Sequence, residues 1–318
     1  MTSGKLGIGL YGTNGHQVQG LVNGHADAEL VAVSAFGGRP LPTQAGDVPR
    51  YQTLDELLAD DRVDVVSLCS PRRADQASDA VRAMRAGKHA YGEKPSALTE
   101  AGLDAIVAAC EETGCQYHEM GGTGFEQPYN AARECVASGA IGDVVQVLAQ
   151  KCYPWGDWRP ADEALDGGLA LQVGVYPVRF VEIVAGVAVT DMQIRETTFG
   201  NDHPNSECRR AVSMIMTLAN GGLASAVCNY LNPAKQLAWG YEIVRIFGTR
   251  GIVETDALRK SARLLRDGKD PLDLDTEAPC PSWFDRVIGA FVGREPLPLS
   301  LGEELSASRW TIRAKAAV

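Results

Sequence analysis

The hydrophobic pattern changes character about a third of the way along the chain. Up to residue 122, apolar runs of strand length alternate with segments of helical spacing. Residues 6–11 (LGIGLY), 29–35 (ELVAVSA), 63–69 (VDVVSLC), 89–92 (HAYG) and 116–120 (QYHEM) predict strands. Residues 53–60, 73–86 and 99–113 predict helices. Thr53 and Glu56 form a capping box, Thr99 is an N-cap, and Gly87 stops the middle helix. Such alternation builds a parallel sheet covered by helices, with ligands gathering outside the carboxyl ends of the strands.

Gly121-Gly122-Thr123-Gly124 is a flexible crossing, which divides the chain into domains 1–122 and 123–318. Beyond it the spacing predicts a helix over 128–138, a strand over 143–152 and an apolar helix over 169–185. Strands then follow at 192–198, 211–218, 223–229, 241–247, 251–254 and 262–266. A run of this kind makes a mainly antiparallel open sheet in an α+β domain. Strands such as VSMIMTL are apolar on both faces, so one face suits the helices and the other a second subunit.

With 318 residues the chain is long enough for two cores. A net charge of -10 argues against nucleic acid or an anionic membrane as the main partner. No apolar run reaches membrane-spanning length and the N-terminus leads straight into a strand, so a cytoplasmic protein is expected. The eight cysteines form no CxxC, and Cys69, Cys110 and Cys228 read as small buried hydrophobes. Five dispersed histidines give no metal-ligand spacing, so no metal is expected.

At the end of the first strand, Gly12-Thr13-Asn14-Gly15-His16-Gln17 is a turn opening a helix that reaches about residue 23. A glycine turn there is where a dinucleotide pyrophosphate rests. Gly7-x-Gly9-x-x-Gly12 matches the usual fingerprint literally, but its first two glycines lie inside the strand. A GxxG register, Gly12 with Gly15, fits better, with Asn14 tolerating positive φ. His16 and Gln17 either bond phosphate or cap the helix. The second strand runs into Ser34-Ala35-Phe36-Gly37-Gly38-Arg39 without the carboxylate that holds a ribose 2′-hydroxyl. Ser34 and Arg39 suit a 2′-phosphate instead, which favours NADP over NAD.

Residues 62–95 form a strand–helix–strand unit that delivers Ser70-Pro71 and Glu93-Lys94-Pro95 to one crevice. Gln172 and Tyr176 lie four apart on the predicted helix 169–185 and share a face. Oxidising a secondary alcohol needs a hydride acceptor and a base. Tyrosine is a poor base at neutral pH unless an ammonium stabilises its phenolate, and Lys94 can supply one. In the loop 153–160, Trp155 and Trp158 can stack on a sugar face, with Arg159 and Asp157 near its hydroxyls. Packing of that loop on its own domain explains the aromatics equally well. His118 is a further candidate for substrate contact.

The chain resembles the Gfo/Idh/MocA family, which includes glucose–fructose oxidoreductase and inositol dehydrogenase. The likeness covers almost the whole length and rests on VDVVSLCSP, AGKHAYGEKPSALT, Ser138-Gly139-Ala140-Ile141-Gly142, DGGLALQVGVYP and IFGTRGIVE. It implies an N-terminal Rossmann domain, a C-terminal open-sheet domain and bound NAD(P). It also implies hydride exchange with a sugar, polyol or similar alcohol, in a homodimer or homotetramer. By position, the resemblance makes Lys94 the active-site lysine and Glu93 the acid beside the cofactor ribose. Ser70 and Pro71 then line the nicotinamide pocket. The family's Asp-x-Gly-x-His helix motif falls on Gln172-Val173-Gly174-Val175-Tyr176. Tyr176-Pro177 matches the tyrosine branch, whereas Gln172 stands where that branch usually keeps Asp. The altered glycine loop and Gln172 keep two other readings open: a redox-silent regulatory protein, and a cofactor-assisted glycosidase or lyase.

Overall fold

In the computed structural model, residues 4–42, 47–156, 159–201, 208–233 and 239–318 are described. The chain divides into two units, each described by itself. One is Met1–Gly121 with Ala164–Asp166 and Trp283–Arg309; the other is Gly122–Glu163 with Gly167–Ser282 and Trp310–Val318.

The first unit is built on β1 (Leu6–Tyr11), at the centre of a six-stranded sheet. In chain order follow α1 (Gln19–Val22), β2 (Ala28–Ser34), β3 (Arg50–Tyr51), α2 (Leu54–Leu58), β4 (Val65–Leu68), α3 (Gln76–Arg85), β5 (His89–Gly92), α4 (Glu100–Thr113) and β6 (Tyr117–Glu119). The strand order is β3-β2-β1-β4-β5-β6 and every pairing is parallel, a Rossmann-like arrangement. The order reverses between β1 and β4, and that is where an open parallel sheet leaves a crevice. β4 is buried at every position because helices cover both faces. Leu57, Met84, Leu103 and Ile106 are fully buried against this sheet, and each contributes about 1.5–3 kcal/mol. The Thr53–Glu56 capping box forms as its residues require. The first helix is shorter than the periodicity suggests: residues 12–18 stay in a turn, and α1 has no side-chain cap.

The second unit begins with α5 (Tyr129–Ala137), β7 (Val144–Pro154), α6 (Glu163–Asp166), α7 (Gly168–Gln172) and α8 (Val175–Arg179), although Ala164–Asp166 group with the first unit. It continues with β8 (Val189–Thr197), β9 (Ala211–Leu218), β10 (Leu223–Asn232), β11 (Tyr241–Gly248), β12 (Gly251–Asp256), β13 (Ser261–Leu265) and β14 (Leu272–Asp273). The eight strands run in the order β14-β13-β12-β11-β7-β10-β9-β8, antiparallel except for β7 beside β10. Alternation along β9 and β10 buries Met214, Met216, Ala226 and Cys228 on one face. On the other face Leu148, Ile215, Leu223 and Val227 are exposed.

Two elements follow that the strand count does not anticipate, α9 (Trp283–Phe291) and α10 (Leu301–Ala316). Placing everything after residue 122 in a second domain therefore needs correction. Trp283–Arg309 returns to the first unit, where the Trp283 indole N–H donates to the Glu119 carbonyl at 2.9 Å and Ser308 Oγ donates to Glu119 Oε1 at 2.7 Å. No single helix among the described residues is long and apolar enough to cross a membrane. Cys69 and Cys228 are buried as expected, whereas Cys110 is half-buried.

Candidate active site

In the first unit, the carboxyl ends of β1, β4 and β5 bring three predicted segments together. Gly12 has φ +72° and Gly15 φ +132°, conformations that L side chains rarely adopt. A Cβ at Gly12 would run into the Cys69 carbonyl, and one at Gly15 into the Glu93 carboxylate. The GxxG register is therefore a steric requirement. Asn14 does not share the positive φ expected of it; among the described residues only Ala35 and Lys260 do so without being glycine. Asn14 instead braces the turn: its backbone N–H donates to Cys69 O at 3.2 Å, and its amide reaches the Pro71 carbonyl at 3.4 Å and the Leu165 carbonyl.

Gln17 is likewise bonded within the unit. Its amide nitrogen donates to the carbonyls of Tyr11, Gly12 and Ser67 at 3.0–3.2 Å, and its oxygen accepts from Ser67 Oγ at 2.6 Å. These bonds hold residues 12–18 out of helix, which explains the late start of α1.

Glu93 is 1% exposed. Its Oε2 accepts from the His16 backbone N–H and lies 2.9 Å from the His16 ring nitrogen, while Oε1 accepts from the Lys94 backbone N–H at 2.9 Å. Burial by itself raises the carboxyl's pKa. The His16 hydrogen bond and the charges of Lys94, His16 and Arg73 outweigh it and hold the group at about 2. Four N–H groups of the turn, those of Gly12, Asn14, Gly15 and His16, already have acceptors within this unit. Glu93 thus grips the glycine turn directly.

Two residues that sequence spacing did not single out tie this centre together. Arg73, 1% exposed, donates to the Asn14 carbonyl and to Gln76 Oε1. Gln76 in turn donates to the carbonyls of Glu93 and Pro95. Lys94 is 4% exposed, so its ammonium is no surface cation. Beyond it, Ser96 is clamped: its N–H and hydroxyl donate to Glu119 Oε1 at 2.9 and 2.6 Å, and Tyr117 O–H donates to Ser96 Oγ at 2.7 Å. The available signal was polar residues at the ends of apolar strands, which by itself does not say who meets whom.

The remaining first-unit candidates divide. Ser70 Oγ donates to Asp79 Oδ2 at 2.8 Å and is fully buried, with exposed Pro71 beside Gly12. Ser34 is buried and its hydroxyl donates to the Thr53 carbonyl at 2.8 Å, so that proton is committed internally. Arg39 is exposed in the loop after β2. There Arg50 joins it by donating to the Gly37 carbonyl at 3.2 Å and the Arg39 carbonyl at 3.5 Å. His118 does not belong with this group. It sits between Glu304, 2.8 Å away, and Gln116, with Phe291 against its ring. Alternation along β6 gives the opposite face to its neighbour Glu119, and that carboxylate reaches Ser96.

In the second unit the predicted helix 169–185 is broken. α7 ends at Gln172, α8 starts at Val175, and the flanking stretches are bent by 41°. Pro177 has no N–H to give the Val173 carbonyl, which accepts from the Tyr176 N–H at 3.1 Å and the Cys228 thiol at 3.8 Å instead. Gly174 has no room for a side chain, since a Cβ would meet the Ala170 carbonyl and the Met214 methyl. Gln172 and Tyr176 thus sit on successive short helices, not on one helix face. They are still the two positions between 166 and 181 that are not buried.

Around them is a cluster of aromatic rings and cations. The Lys151 ammonium lies 4.3 Å from the Tyr176 ring centre and 4.7 Å from that of Tyr153, and it pairs with Glu242 across the β7–β11 register. Tyr230 O–H donates to Gln172 Oε1 at 3.3 Å. The Arg159 guanidinium stacks 3.5 Å over Tyr230, whose ring is 6.0 Å from that of Trp155. Arg210 lies 4.2 Å over Trp155. Trp155 and Arg159 therefore join Gln172 and Tyr176; Asp157 and Trp158 lie outside the described residues. Lys151, Tyr153, Arg210, Tyr230 and Glu242 were missed, although a lysine at a buried position of an apolar strand was a signal.

Two family descriptions match the chain. "Oxidoreductase family, NAD-binding Rossmann fold" covers residues 6–120, and "GFO/IDH/MocA C-terminal domain" covers residues 129–254. An uncharacterized oxidoreductase of Rhizobium meliloti is 28% identical over 259 residues, 76% of this chain and 72% of that protein. Inositol 2-dehydrogenase of Rhizobium meliloti strain 1021 is 24% identical over 247 residues, 75% of this chain and 71% of that enzyme. Among solved structures, aldose-aldose oxidoreductase from Caulobacter crescentus superposes with a TM-score of 0.79 over 98% of each chain at 24% identity.

Proposed function

The chain belongs to the Gfo/Idh/MocA family of NAD-binding oxidoreductases, and on that premise we propose that it moves a hydride between a nicotinamide dinucleotide and a sugar, polyol or similar secondary alcohol. The first unit takes the dinucleotide and the second takes the substrate. The observation that carries this reading is the sterically required Gly12–Gly15 turn at the reversal point of a parallel sheet, gripped by Glu93 next to a buried lysine. A glycine turn between the first strand and first helix of such a sheet is where a dinucleotide pyrophosphate rests. The Gly12–Gln17 backbone, Ser70, Pro71 and the Glu93–Lys94 segment would hold it. NADP is favoured over NAD by Arg39 and Arg50 beside the end of β2, where no carboxylate stands.

When bound, the nicotinamide accepts or supplies the hydride. The protein's part is the hydroxyl proton and its position. The Tyr176 phenol takes or returns that proton at its oxygen. Negative charge developing there is favoured by the Lys151 ammonium against its ring. Gln172, fixed by Tyr230, offers an amide to a second hydroxyl and so orients the substrate. In reduction the same phenol polarises the carbonyl.

The exposed apolar face made by Leu148, Ile215, Leu223 and Val227 supports self-association through the second unit's sheet, since two copies can cover the same patch on each other. Nucleotide binding tests the central reading. Titration of the purified protein with NADPH and NADH by cofactor fluorescence and calorimetry is expected to show saturable binding, tighter for NADPH. Absence of binding to either one ends the oxidoreductase assignment.

A further inference from the structure

Arg159 and Arg210 differ from several cations of the second unit that are held in ion pairs. Lys151 has Glu242, Arg245 and Arg263 share Glu254, and Arg259 has Asp256. Neither Arg159 nor Arg210 has a carboxylate within ion-pair distance among the described residues. Arg210 is 9% exposed, and its Nε and Nη1 are buried without a hydrogen-bond partner; so is Nε of Arg159. Among the described residues, the Pro154 carbonyl, 3.2 Å from Arg159 Nη2, is the one hydrogen-bond acceptor met by either guanidinium. An uncompensated buried guanidinium is costly, and its N–H groups retain their full demand for an acceptor.

The stacking geometry says what that acceptor would be. Each guanidinium carbon lies over a ring, Arg159 3.5 Å from the Tyr230 centre and Arg210 4.2 Å from the Trp155 centre, and those two ring centres are 6.0 Å apart. A stacked guanidinium uses its π face and leaves the in-plane N–H fork open, the geometry that takes two oxygens of a carboxylate or phosphate. Tyr230 then leads to Gln172 through its hydroxyl. The two forks and the amide of the proposed substrate site are therefore linked through one pair of rings.

We propose that the substrate is an anionic carbohydrate, a sugar acid or sugar phosphate, whose oxyanion is taken by Arg159 and Arg210 while Gln172 and Tyr176 meet its hydroxyls. This rests on the assignment of Gln172 and Tyr176 to the substrate site. It goes beyond that assignment in naming charge as the specificity feature. Neutral polyols lack the group that would compensate buried Arg210 and half-buried Arg159.

The test uses the full chain without cofactor, so that it does not depend on turnover. Binding of D-gluconate, D-glucose 6-phosphate and sorbitol is measured by calorimetry and by tryptophan fluorescence, for wild type, Arg159→Gln, Arg210→Gln and the double variant. One charge-assisted hydrogen bond corresponds to about tenfold or more in affinity. At least one acid is expected to bind about tenfold more tightly than sorbitol, with that preference lost in the double variant. Gluconate ahead of glucose 6-phosphate identifies a carboxylate, and the reverse order a phosphoryl group. Equal binding of sorbitol, no binding of either acid, or a preference that survives in a folded double variant overturns the inference. The wild-type comparison needs no variant to fold. If acids bind but NADP(H) does not, the oxidoreductase reading fails while the anion site stands; if NADPH binds and acids do not, the anion site alone fails.

Discussion

Replacing Glu93 by glutamine keeps the side chain's shape and one acceptor oxygen but removes its charge. Glu93 is 1% exposed, so solvent screens it little. Burial pushes its pKa up, and the His16 hydrogen bond with the charges of Lys94, His16 and Arg73 pulls it from an ordinary 4.5 down to about 2. That gap is worth about 3 kcal/mol. Because the folded value lies below the unfolded one, this stability is fully present above about pH 4.5 and is lost as the pH falls through about 2. Between about pH 6 and about pH 3 the loss comes to about 2 kcal/mol. Urea unfolding of wild type and Glu93→Gln across that range gives two curves of stability against pH. Their difference isolates Glu93 from other low carboxyls such as Asp60, also held at about 2. The wild-type advantage is expected to shrink by about 2 kcal/mol toward acid. Parallel curves would refute the claim that an ionised Glu93 locks the glycine turn.

Other outcomes follow from the same geometry. Tyr176→Phe is expected to lower turnover by about 10²–10⁴ while NADPH binding stays near wild type, and Lys94→Ala to lower turnover by a similar factor; wild-type turnover in either variant removes that residue from the reaction. Gly174→Ala forces a methyl against the Ala170 carbonyl and Met214, and is expected to cost about 1–3 kcal/mol in denaturant unfolding. A neutral result there means that the break between α7 and α8 has slack. Ile215→Glu puts a charge on the exposed sheet face, and sedimentation is expected to show a smaller species with an unchanged circular dichroism spectrum. A wild-type protein that already sediments as a monomer excludes pairing through this face.

The strands of the first unit, its capped helices and the Gly12 turn were legible in the chain because each depends on neighbours a few residues away. Val65–Leu68 is apolar enough to be buried on both sides, Thr53 and Glu56 cap locally, and Gly12 meets a steric limit that no other residue satisfies. The change from alternating elements to a run of strands likewise announced a second, mainly antiparallel sheet. The broken helix was only half legible. Gly174 and Pro177 lie in plain view, but the need for a break also comes from Met214, forty residues on in β9.

What the tertiary structure decided is which polar groups meet. Lys151 finds Glu242 through the register of β7 with β11, and Arg210 reaches Trp155 over more than fifty residues of intervening chain. Arg73 and Gln76 join the glycine turn to the Glu93–Pro95 segment. His118 and Glu119 are adjacent in sequence, yet the two-residue period of a strand sends them to opposite faces and opposite partners. By itself the sequence determined where strands and turns form and which residue types are available for chemistry. The partners of buried groups such as Lys151 and Glu93 come from other elements, and strand register and the packing of distant segments set that pairing, so only the fold decided it.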